Sequence, residues 1–265
     1  MRLKIPVHCP SCNTETRIRS SRKMTNGYYV TYRECKNKAC GARFKFDETF
    51  SDFTDDEHLK SFRLDSLEIS QCALIIIDQQ DANAYFSYTQ KRNNPKAESH
   101  MLRLLNAWRE HSLTVIHVRH ISKNSDSPFS PGSPGSNFQP DFEPLPNEHI
   151  VDKSIPDAFL STELEPWLRK RGIEQLVICG ATSDQSIEGT VRTAGNLGFT
   201  VWVPDDACYT FSKYGYDSSH IPAEFAHIIA MTNLHQGQST VVDTSMVLMA
   251  IEAGVSVGGK GAVRH

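Results

Sequence analysis

The chain has 265 residues, a formal net charge of −3 and a hydrophobic share of 39%. These values are ordinary for a globular protein and allow one large domain of roughly 150–200 residues beside a small module. No apolar run approaches the ~20 residues of a membrane span, and the first residues do not have the pattern of a signal peptide. We therefore expect a cytoplasmic protein that makes no membrane contact.

The charge is unevenly distributed along the chain. Residues 1–46 carry eleven Lys or Arg against two Glu, a net charge of +9. The rest of the chain carries 17 basic and 29 acidic residues, a net charge of −12. This asymmetry predicts two domains with different tasks and a basic N-terminal part that contacts an acidic partner.

Four of the seven cysteines lie within the first 40 residues, in two pairs. Cys9 and Cys12 form a CPSC knuckle, and Cys35 and Cys40 follow after 22 intervening residues. Four thiolates at such spacing are typical of a structural Zn²⁺ site, which would fold a segment too short to build its own core. Four free cysteines are the alternative. The pattern favours zinc over a disulfide framework.

The residues between and after these cysteines have strand patterns. Residues 28–32 (YYVTY) alternate after an Asn26–Gly27 turn, and residues 43–46 (RFKF) are the predicted partner strand. Together with the CPxC and CxNxxC pairs, this region resembles the Ogr/Delta-type zinc fingers, and we assign residues 1–48 to such a module. The resemblance implies contact with DNA or RNA polymerase. A zinc-stabilised module for localisation or assembly is the other interpretation. The residues available for phosphate contacts are Arg17, Arg19, Arg22, Lys23 and Arg33.

Residues 49–69 are acidic and weakly periodic, and they are predicted to form a linker. Residues 72–77 (CALIII) have the pattern of a buried central strand, and Asp78 stands at its carboxyl end. Further strands are predicted over residues 114–120, where His117 and His120 are possible site residues, and over 149–153, which ends in Lys153. The long loop between these two strands is typical of a lid, an oligomer arm or a disordered excursion.

Residues 176–198 are the central segment of the second domain. The apolar run LVIC predicts a buried strand that ends at Gly180. Ile187, Val191 and Ala194 then recur at helical spacing, which indicates a strand, a sharp turn and a helix. Ser186 falls in the first turn of this helix, over free backbone N–H groups and the positive end of the helix dipole. A nucleophile and an oxyanion hole can be built together at such a position.

Strands and helices alternate through residues 70–253, which predicts an α/β domain with a parallel sheet covered on both faces. The run GATSDQSIEGTVR resembles the signature of the isochorismatase-like cysteine hydrolases. That resemblance implies a three-layer α/β/α sandwich, and it extends over nearly all of this domain. Residues 254–265 are expected to be a frayed C-terminal tail.

The resemblance also implies roles for individual residues. The catalytic residues would be Asp78, Lys153 and Ser186. A cis peptide at Ala181–Thr182 would help to form the oxyanion hole. The substrate-binding residues would be Gln80, His120 and Phe159. We expect no metal in this domain, because the metal-binding histidines of one branch of the family have no match after Asp78. The fold further implies a homo-oligomer, a dimer or a tetramer.

The position held by Ser186 is the nucleophilic cysteine in that family, and this departure leaves the function open. With cysteine, the expected activity is hydrolysis of a C–N bond in a small amide or imide, with the zinc finger serving localisation or assembly. With serine, three explanations remain: an inactivating exchange of Cys for Ser, a natural non-catalytic relative, or serine-based or isochorismatase-type chemistry. The alternative function is a small-molecule sensor that controls a DNA- or polymerase-binding finger.

Overall fold

A computed structural model describes residues 9, 11–12, 14–23, 29–48, 68–235 and 237–258. The chain divides into two compact units, residues 1–63 and 64–265. The predicted Asn26–Gly27 turn and most of the predicted linker, residues 49–67, lie outside the described residues. None of the described helices is long and apolar enough to cross a membrane.

The first unit contains a three-stranded antiparallel sheet. Its strands are β1 (Thr16–Lys23), β2 (Tyr29–Cys35) and β3 (Arg43–Glu48), in that spatial order. The predicted pairing of the YYVTY and RFKF segments is observed as the β2–β3 ladder, in which Arg33 lies opposite Phe44. Strand β1 was not predicted, because its mixed charged and polar residues lack an apolar alternation.

The second unit is built on a parallel sheet. Spatially, the strands follow the order β12–β8–β7–β4–β5–β6, and the short β9 pairs with the end of β7. All of these pairs are parallel. The bounds are β4 Cys72–Ile77, β5 Thr114–His120, β6 His149–Lys153, β7 Gln175–Ala181, β8 Thr200–Pro204, β9 Cys208–Tyr209 and β12 Thr240–Val242. Every residue of β4 is buried, as its uninterrupted apolar sequence predicts for a central strand.

Helices connect these strands and cover the sheet. They are α1 Asp81–Thr89, α2 Ala97–Glu110, α3 Leu164–Lys170, α4 Glu188–Asn196, α5 Ala223–His235 and α6 Thr244–Gly258. Because parallel crossovers are right-handed, connections that run in opposite directions along the sheet place their helices on opposite faces. Accordingly, α2 packs against α6, and α4 packs against α5. The expected α/β architecture is confirmed.

The direction of the connections reverses between β4 and β7, which are neighbours in the middle of the sheet. From β4 the chain moves one way through β5 to β6, and from β7 it moves the other way through β8 to β12. Ligands of open α/β sheets bind at such a switch point, beyond the carboxyl ends of the strands. The fold therefore indicates a ligand site at the residues that follow β4 and β7.

Some elements differ from the prediction. Helix α6 continues to Gly258, so residues 254–258 are helical rather than part of a frayed tail, whereas 259–265 lie outside the described residues. Helix α1 and the small hairpin of β10 (Lys213–Tyr214) and β11 (His220–Ile221) were not predicted. These elements are short and have no clear period in the sequence, so only their tertiary surroundings specify them.

Candidate active site

Asp78 is placed at the end of the central strand β4. Its backbone N–H donates to the carbonyl of Val118 on β5 at 2.8 Å, so the sheet ladder holds the residue in position. Its φ angle is 54°, in the left-handed region that aspartate tolerates better than most residues. The side chain is buried and points towards the segment that follows β7, since its Oδ2 atom accepts a hydrogen bond from Ser186.

Ser186 follows strand β7 in a sharp turn. Gly180 lies opposite Ile77 with a φ of 128°, and a Cβ atom there would lie 2.2 Å from the Ile77 carbonyl oxygen. Only glycine permits this approach between β7 and β4. The Ala181–Thr182 peptide bond is cis, and a single π-helical turn, Ser183–Ile187, leads directly into α4. The predicted strand–turn–helix is thus observed, with a π turn at its start.

Lys153 completes a group of three side chains. It ends the strand β6 and reaches past β5, and its ammonium group is fully buried. Its Nζ atom donates to Asp78 Oδ2 at 2.8 Å and to Ser186 Oγ at 3.0 Å, while Ser186 Oγ donates to the same Oδ2 at 2.8 Å. The structure thus brings together the three residues for which the sequence predicted catalytic roles, although they are 33 to 108 positions apart.

Two of these side chains, Asp78 and Ser186, line a cavity of about 400 Å³. Ser186, Asp78 and Thr182 belong to its lining, so the hydroxyl oxygen is accessible from the cavity. The Oδ1 atom of Asp78 is buried and has no hydrogen-bond partner among the described residues. A molecule in the cavity can therefore meet the Ser186 hydroxyl group and the side chain of Asp78, whereas the Oδ1 atom itself is not exposed.

His120 is the one predicted substrate-binding residue that lines this cavity. Burial, and then the positive charge of Lys153, lowers the pKa of its imidazole below the ordinary value. The ring is therefore neutral at pH 7, and it contacts the ring of Phe129 edge-on at 5.6 Å. His117, on the same strand, instead pairs with Glu148 at 2.9 Å in the buried interior and does not line the cavity.

Two other predicted substrate-binding residues have different positions. Gln80 is fully buried, and its amide donates to the carbonyls of His120 and Ser136, both at 3.0 Å, while its Oε1 accepts from the His120 N–H at 2.7 Å. It connects the end of β5 to the long loop. Phe159 packs in the hydrophobic core against Phe199 at 5.7 Å. Neither residue lines the cavity, because the amide of Gln80 is satisfied by backbone groups and the ring of Phe159 lies in the core, and their roles in substrate binding stay predictions.

Helix α5 holds the turn that carries Ser186 in position through a hydrogen bond. Ser183, the first residue of the π turn, is fully buried, and its Oγ is joined to Nδ1 of His227 by a hydrogen bond of 2.7 Å. Burial lowers the pKa of His227 to about 4, so the imidazole is neutral at pH 7. This pair lies outside the cavity lining, and it fixes the start of the turn rather than contacting a ligand.

Residues 210–212 form part of the cavity wall, and residues 91–94 hold them in position. Residues 92–95 have the sequence RNNP. Thr210 donates its N–H to Asn93 Oδ1 at 2.7 Å, and Ser212 donates to the carbonyl of Lys91 at 2.8 Å. Asn94 donates to the carbonyls of Asp205 and Cys208 at 2.8 and 2.7 Å. The RNNP motif therefore positions one wall of the cavity, which the sequence alone did not reveal.

Several lining residues were not predicted. They come from α1, from the long loop and from the segment after β9: Asn83, Phe86, Phe129, Thr210, Phe211 and Lys213. Of these segments, only the long loop carried a signal, because a loop of that length is typical of a lid, among other possibilities. The others lie far apart in sequence, and no local pattern indicates that they converge.

In the first unit, the four predicted cysteines come together. All four Sγ atoms lie within 4.8 Å of one another, with Cys9–Cys40 at 3.8 Å and Cys12–Cys35 at 3.4 Å. Four sulfurs at Zn–S distances of about 2.3 Å in a tetrahedron would be roughly 3.8 Å apart. Hydrogen bonding with Thr14 lowers the pKa of the Cys12 thiol to about 6, whereas burial raises the pKa of the Cys35 thiol to about 12, so a bound metal would have to displace the proton of Cys35. The donor set fits Zn²⁺.

The basic surface of this unit is smaller than predicted. The sequence predicted that Arg33 would be available for phosphate contacts, but its side chain is buried. Arg17 and Arg19 are exposed, and both approach the carboxylate of Glu34, which also pairs with Arg43. The side chains of Arg22 and Lys23 lie outside the described residues. One exposed face, therefore, carries three arginines around one glutamate.

Comparison with known proteins shows what the two parts resemble. The family described as "Isochorismatase domain" matches residues 72–243, and the "Ogr/Delta-like zinc finger" matches residues 8–54. The isochorismatase family protein YrdC of Bacillus subtilis is 32% identical over 176 residues, which are 66% of this chain and 94% of YrdC. A streptothricin hydrolase of Streptomyces noursei is 41% identical over 69 residues, 26% of this chain and 25% of that enzyme.

Solved structures give the same assignment. An isochorismatase-family structure from Chromobacterium violaceum superposes with a TM-score of 0.67 at 38% identity, and the match covers 69% of this chain and 95% of that one. The resemblance stated from the GATSDQSIEGTVR run and the cysteine pairs is thereby confirmed. The chain belongs to the isochorismatase family and carries an Ogr/Delta-like zinc finger in front of that domain.

Proposed function

We propose that the second unit is built to hydrolyse a C–N bond in a small amide or imide, with the nucleophile at position 186. The observation that carries this proposal is the hydrogen-bonded group of Asp78, Lys153 and Ser186 at a cavity of about 400 Å³. A base, a cation and a nucleophile within 3.0 Å of one another meet the geometric requirement for covalent catalysis. The similarity to streptothricin hydrolase over 69 residues supports a hydrolytic reaction.

With cysteine at position 186, the reaction would proceed in two steps. Asp78 takes the thiol proton, and the ammonium of Lys153 stabilises the thiolate. The thiolate attacks the carbonyl carbon, and the backbone N–H groups of Thr182 and residue 186 hold the oxyanion. Asp78 returns the proton to the leaving nitrogen as the C–N bond breaks. Water then attacks the thioester, releasing the acid and restoring the thiol.

With serine, the same geometry lacks a sufficient base. A carboxylate is too weak a base to deprotonate an alcohol efficiently, and no described side chain other than Asp78 and Lys153 forms a hydrogen bond with Ser186 Oγ. We therefore propose that the chain as it stands binds a substrate and turns it over slowly or not at all. Such a chain retains the substrate-binding cavity but lacks catalytic activity.

The test compares the given chain with its Ser186→Cys variant. Small amides, imides and cell-extract metabolites are incubated with each protein, and products are followed by accurate mass. We expect the cysteine form to add one water to a compound that the serine form only binds. Ser99→Cys is the matched control, because it adds a thiol at an exposed position of α2 outside the cavity lining, and this variant should show no turnover. If the cysteine form turns over nothing, hydrolysis is refuted.

A second candidate function is ligand sensing. Serine at position 186 favours it, because a relative without a nucleophile can still bind a metabolite. In this proposal, ligand binding changes how the Zn²⁺-bound finger binds its partner. The exposed Arg17, Arg19 and Arg43 of the finger would contact DNA or RNA polymerase. In the hydrolase proposal, the finger serves localisation or assembly instead. If both forms of the chain retain one metabolite without turnover, and that metabolite changes binding to DNA or polymerase, sensing is supported.

A further inference from the structure

One face of the antiparallel sheet in the first unit carries an open aromatic ring. Tyr32 and Glu34 are two residues apart on β2, so their side chains point to the same face of the sheet. Tyr32 is 48% exposed, and the residue opposite it on β1 is the small Ser20. The alternate residues Arg33 and Cys35 are buried and belong to the other face. The Tyr32 ring is therefore accessible on the face opposite to that of Cys35.

Three arginines surround Glu34 on this same face. Arg17 and Arg43 lie directly opposite Glu34 on the two flanking strands, and they donate to its carboxylate at 2.8 and 3.1 Å. The Nε atom of Arg19 is 4.0 Å from that carboxylate. The side chains of the three arginines are 51–68% exposed, and a single carboxylate compensates one of their three charges. Each guanidinium has five N–H groups, so the cluster keeps positive charge and free donors.

An exposed aromatic ring beside free guanidinium groups suits a single nucleic-acid strand better than a duplex. Guanidinium groups bind phosphate oxygens of either form. An aromatic side chain such as that of Tyr32 adds affinity only where the face of a base is open to stack on it. In a duplex the bases are stacked on one another, so a duplex offers this face of the sheet its phosphates alone. A single strand offers both its phosphates and its bases.

We propose that this face of the finger binds single-stranded DNA, with a base stacked on Tyr32 and phosphates bound by Arg17, Arg19 and Arg43. The carboxylate of Glu34 is engaged by the arginines and is not free to accept from a ribose 2′-hydroxyl, so we assign DNA rather than RNA. This inference rests on the DNA contact proposed above for the finger, and it names the form of DNA. It does not depend on turnover in the second unit.

The test measures binding of the zinc-loaded full chain to dye-labelled probes of equal length by fluorescence anisotropy. The probes are an oligothymidylate, a strand of abasic sites with the same phosphates, a thymidine–adenosine DNA duplex and an oligouridylate RNA. At about 200 mM salt, where phosphate contacts contribute less, we expect the oligothymidylate to bind most tightly. Its advantage over the abasic strand should be roughly fivefold to a hundredfold, since stacking of one base contributes that much.

Variants separate stacking from charge. Tyr32→Leu should bind the oligothymidylate and the abasic strand equally, whereas Tyr32→Phe should keep the preference because it keeps the ring. Tyr216→Leu is the matched control, since Tyr216 is fully exposed in the second unit, and it should also keep the preference. Arg43→Gln should weaken binding of both strands alike and reduce the slope of log affinity against log salt by about 0.7, as one lost phosphate contact does. Equal zinc content in all variants shows that the first unit is folded.

Each contrary outcome has its own meaning. Equal binding of the oligothymidylate and the abasic strand by the unchanged chain would overturn the proposal, because no base would then be stacked. Tighter binding of the duplex would also overturn it, while the DNA contact of the finger would stand. Tighter binding of the oligouridylate would overturn the assignment to DNA. If none of the probes binds even at low salt, the DNA contact fails as well, and a protein such as RNA polymerase is the partner of this face.

Discussion

The buried ion pair between Lys153 and Asp78 holds the candidate site together. The exposed fractions of the two side chains are 0% and 7%, so each charge depends on the other and on Ser186 for compensation. Replacing one partner leaves a charge in the interior with no opposite charge, which costs more than the pair contributes when both charges are present. The site is therefore sensitive to any change at either residue, whatever the chain catalyses.

We predict that Asp78→Asn and Lys153→Met will each lower the free energy of unfolding by about 3–5 kcal/mol. The double variant should lose less than the sum of the two, because no uncompensated charge remains. Urea unfolding of the single and double variants measures this difference.

The neighbouring pair Arg119–Asp152 serves as the control, since its side chains are 30% and 50% exposed. Asp152→Asn should change the free energy of unfolding by less than about 1 kcal/mol, as is typical of solvated pairs. Strictly additive effects of Asp78→Asn and Lys153→Met would contradict the idea that the two charges compensate each other.

Single residues differ in how far their position could be predicted. The positions of Asp78, Ser186 and the four cysteines could be inferred from local patterns, which are a strand end, a strand–turn–helix and a CPxC knuckle. The catalytic roles of Asp78, Lys153 and Ser186 needed the family resemblance. The positions of Gln80 and Phe159 away from the cavity lining could not be predicted, because only the folded chain determines whether a side chain faces a cavity, a backbone carbonyl or the core.

The elements that position the site are held by contacts between distant parts of the chain. The π turn Ser183–Ile187 has no predictable signature, since the sequence pattern indicates only a helix after a strand. Its position depends on α5 through the hydrogen bond between Ser183 and His227. The cavity wall depends in the same way on the RNNP segment, 117 residues away from Thr210 along the chain. Long-range hydrogen bonds of this kind cannot be deduced from local periodicity.

The contact between α5 and the π turn predicts a pH dependence of stability. His227 has a pKa of about 4 in the folded chain because of burial, against an ordinary value of 6.5. As the pH falls from 6.5 towards 4, the unfolded chain binds the proton first, so the folded state loses stability. The expected loss is up to about 3 kcal/mol, fully developed only below the folded pKa.

His227→Gln should remove this component, so that the free energy of unfolding varies less between pH 7 and pH 4 than in the unchanged chain. His111, exposed at the end of α2, offers the control, and His111→Gln should leave the pH profile as it is. Chemical unfolding at several pH values gives both profiles. An unaltered profile in His227→Gln would show that the imidazole titrates normally.

At the scale of the whole molecule, the two units depend on different sources of stability. The second unit has a large buried core around its sheet. The first unit has a small sheet and four clustered cysteines, and a segment of this size usually requires its metal to fold. The parallel sheet was predictable from its buried apolar strands. In the first unit, the cysteine spacing indicated the metal site, and the alternating segments indicated two of the three strands.

We predict that the chain binds one Zn²⁺ and that a chelator unfolds the first unit alone. Elemental analysis measures the metal, and proteolysis reports which unit is cleaved after chelation. Cys12→Ser should lose zinc, and its exposed neighbour offers the control Ser11→Ala, which should retain it. A first unit that resists proteolysis without metal would contradict this prediction.

Helix α5 also bears on the assembly of the molecule. Phe225, Ile228 and Ile229 lie on one face of it and are 47–60% exposed, and such an apolar stripe on a helix is typical of a contact surface. We predict a dimer or a tetramer in sedimentation experiments, and a shift to smaller species in Ile228→Lys. Leu160→Lys changes an equally exposed apolar residue outside this helix and should have no such effect. A chain that is monomeric at all concentrations would refute the prediction.

The close approach at Gly180 limits which residues near the site can be substituted. Any side chain there would collide with the backbone of Ile77 and separate the two strands that carry Asp78 and Ser186. Three phenylalanines that line the cavity form an aromatic wall without such a constraint, because Phe86, Phe129 and Phe211 come from segments outside the central strands. New specificities can therefore arise by exchange of the wall while the sheet beneath it stays invariant. A library intended to redirect the cavity should vary the three phenylalanines and leave the glycine untouched.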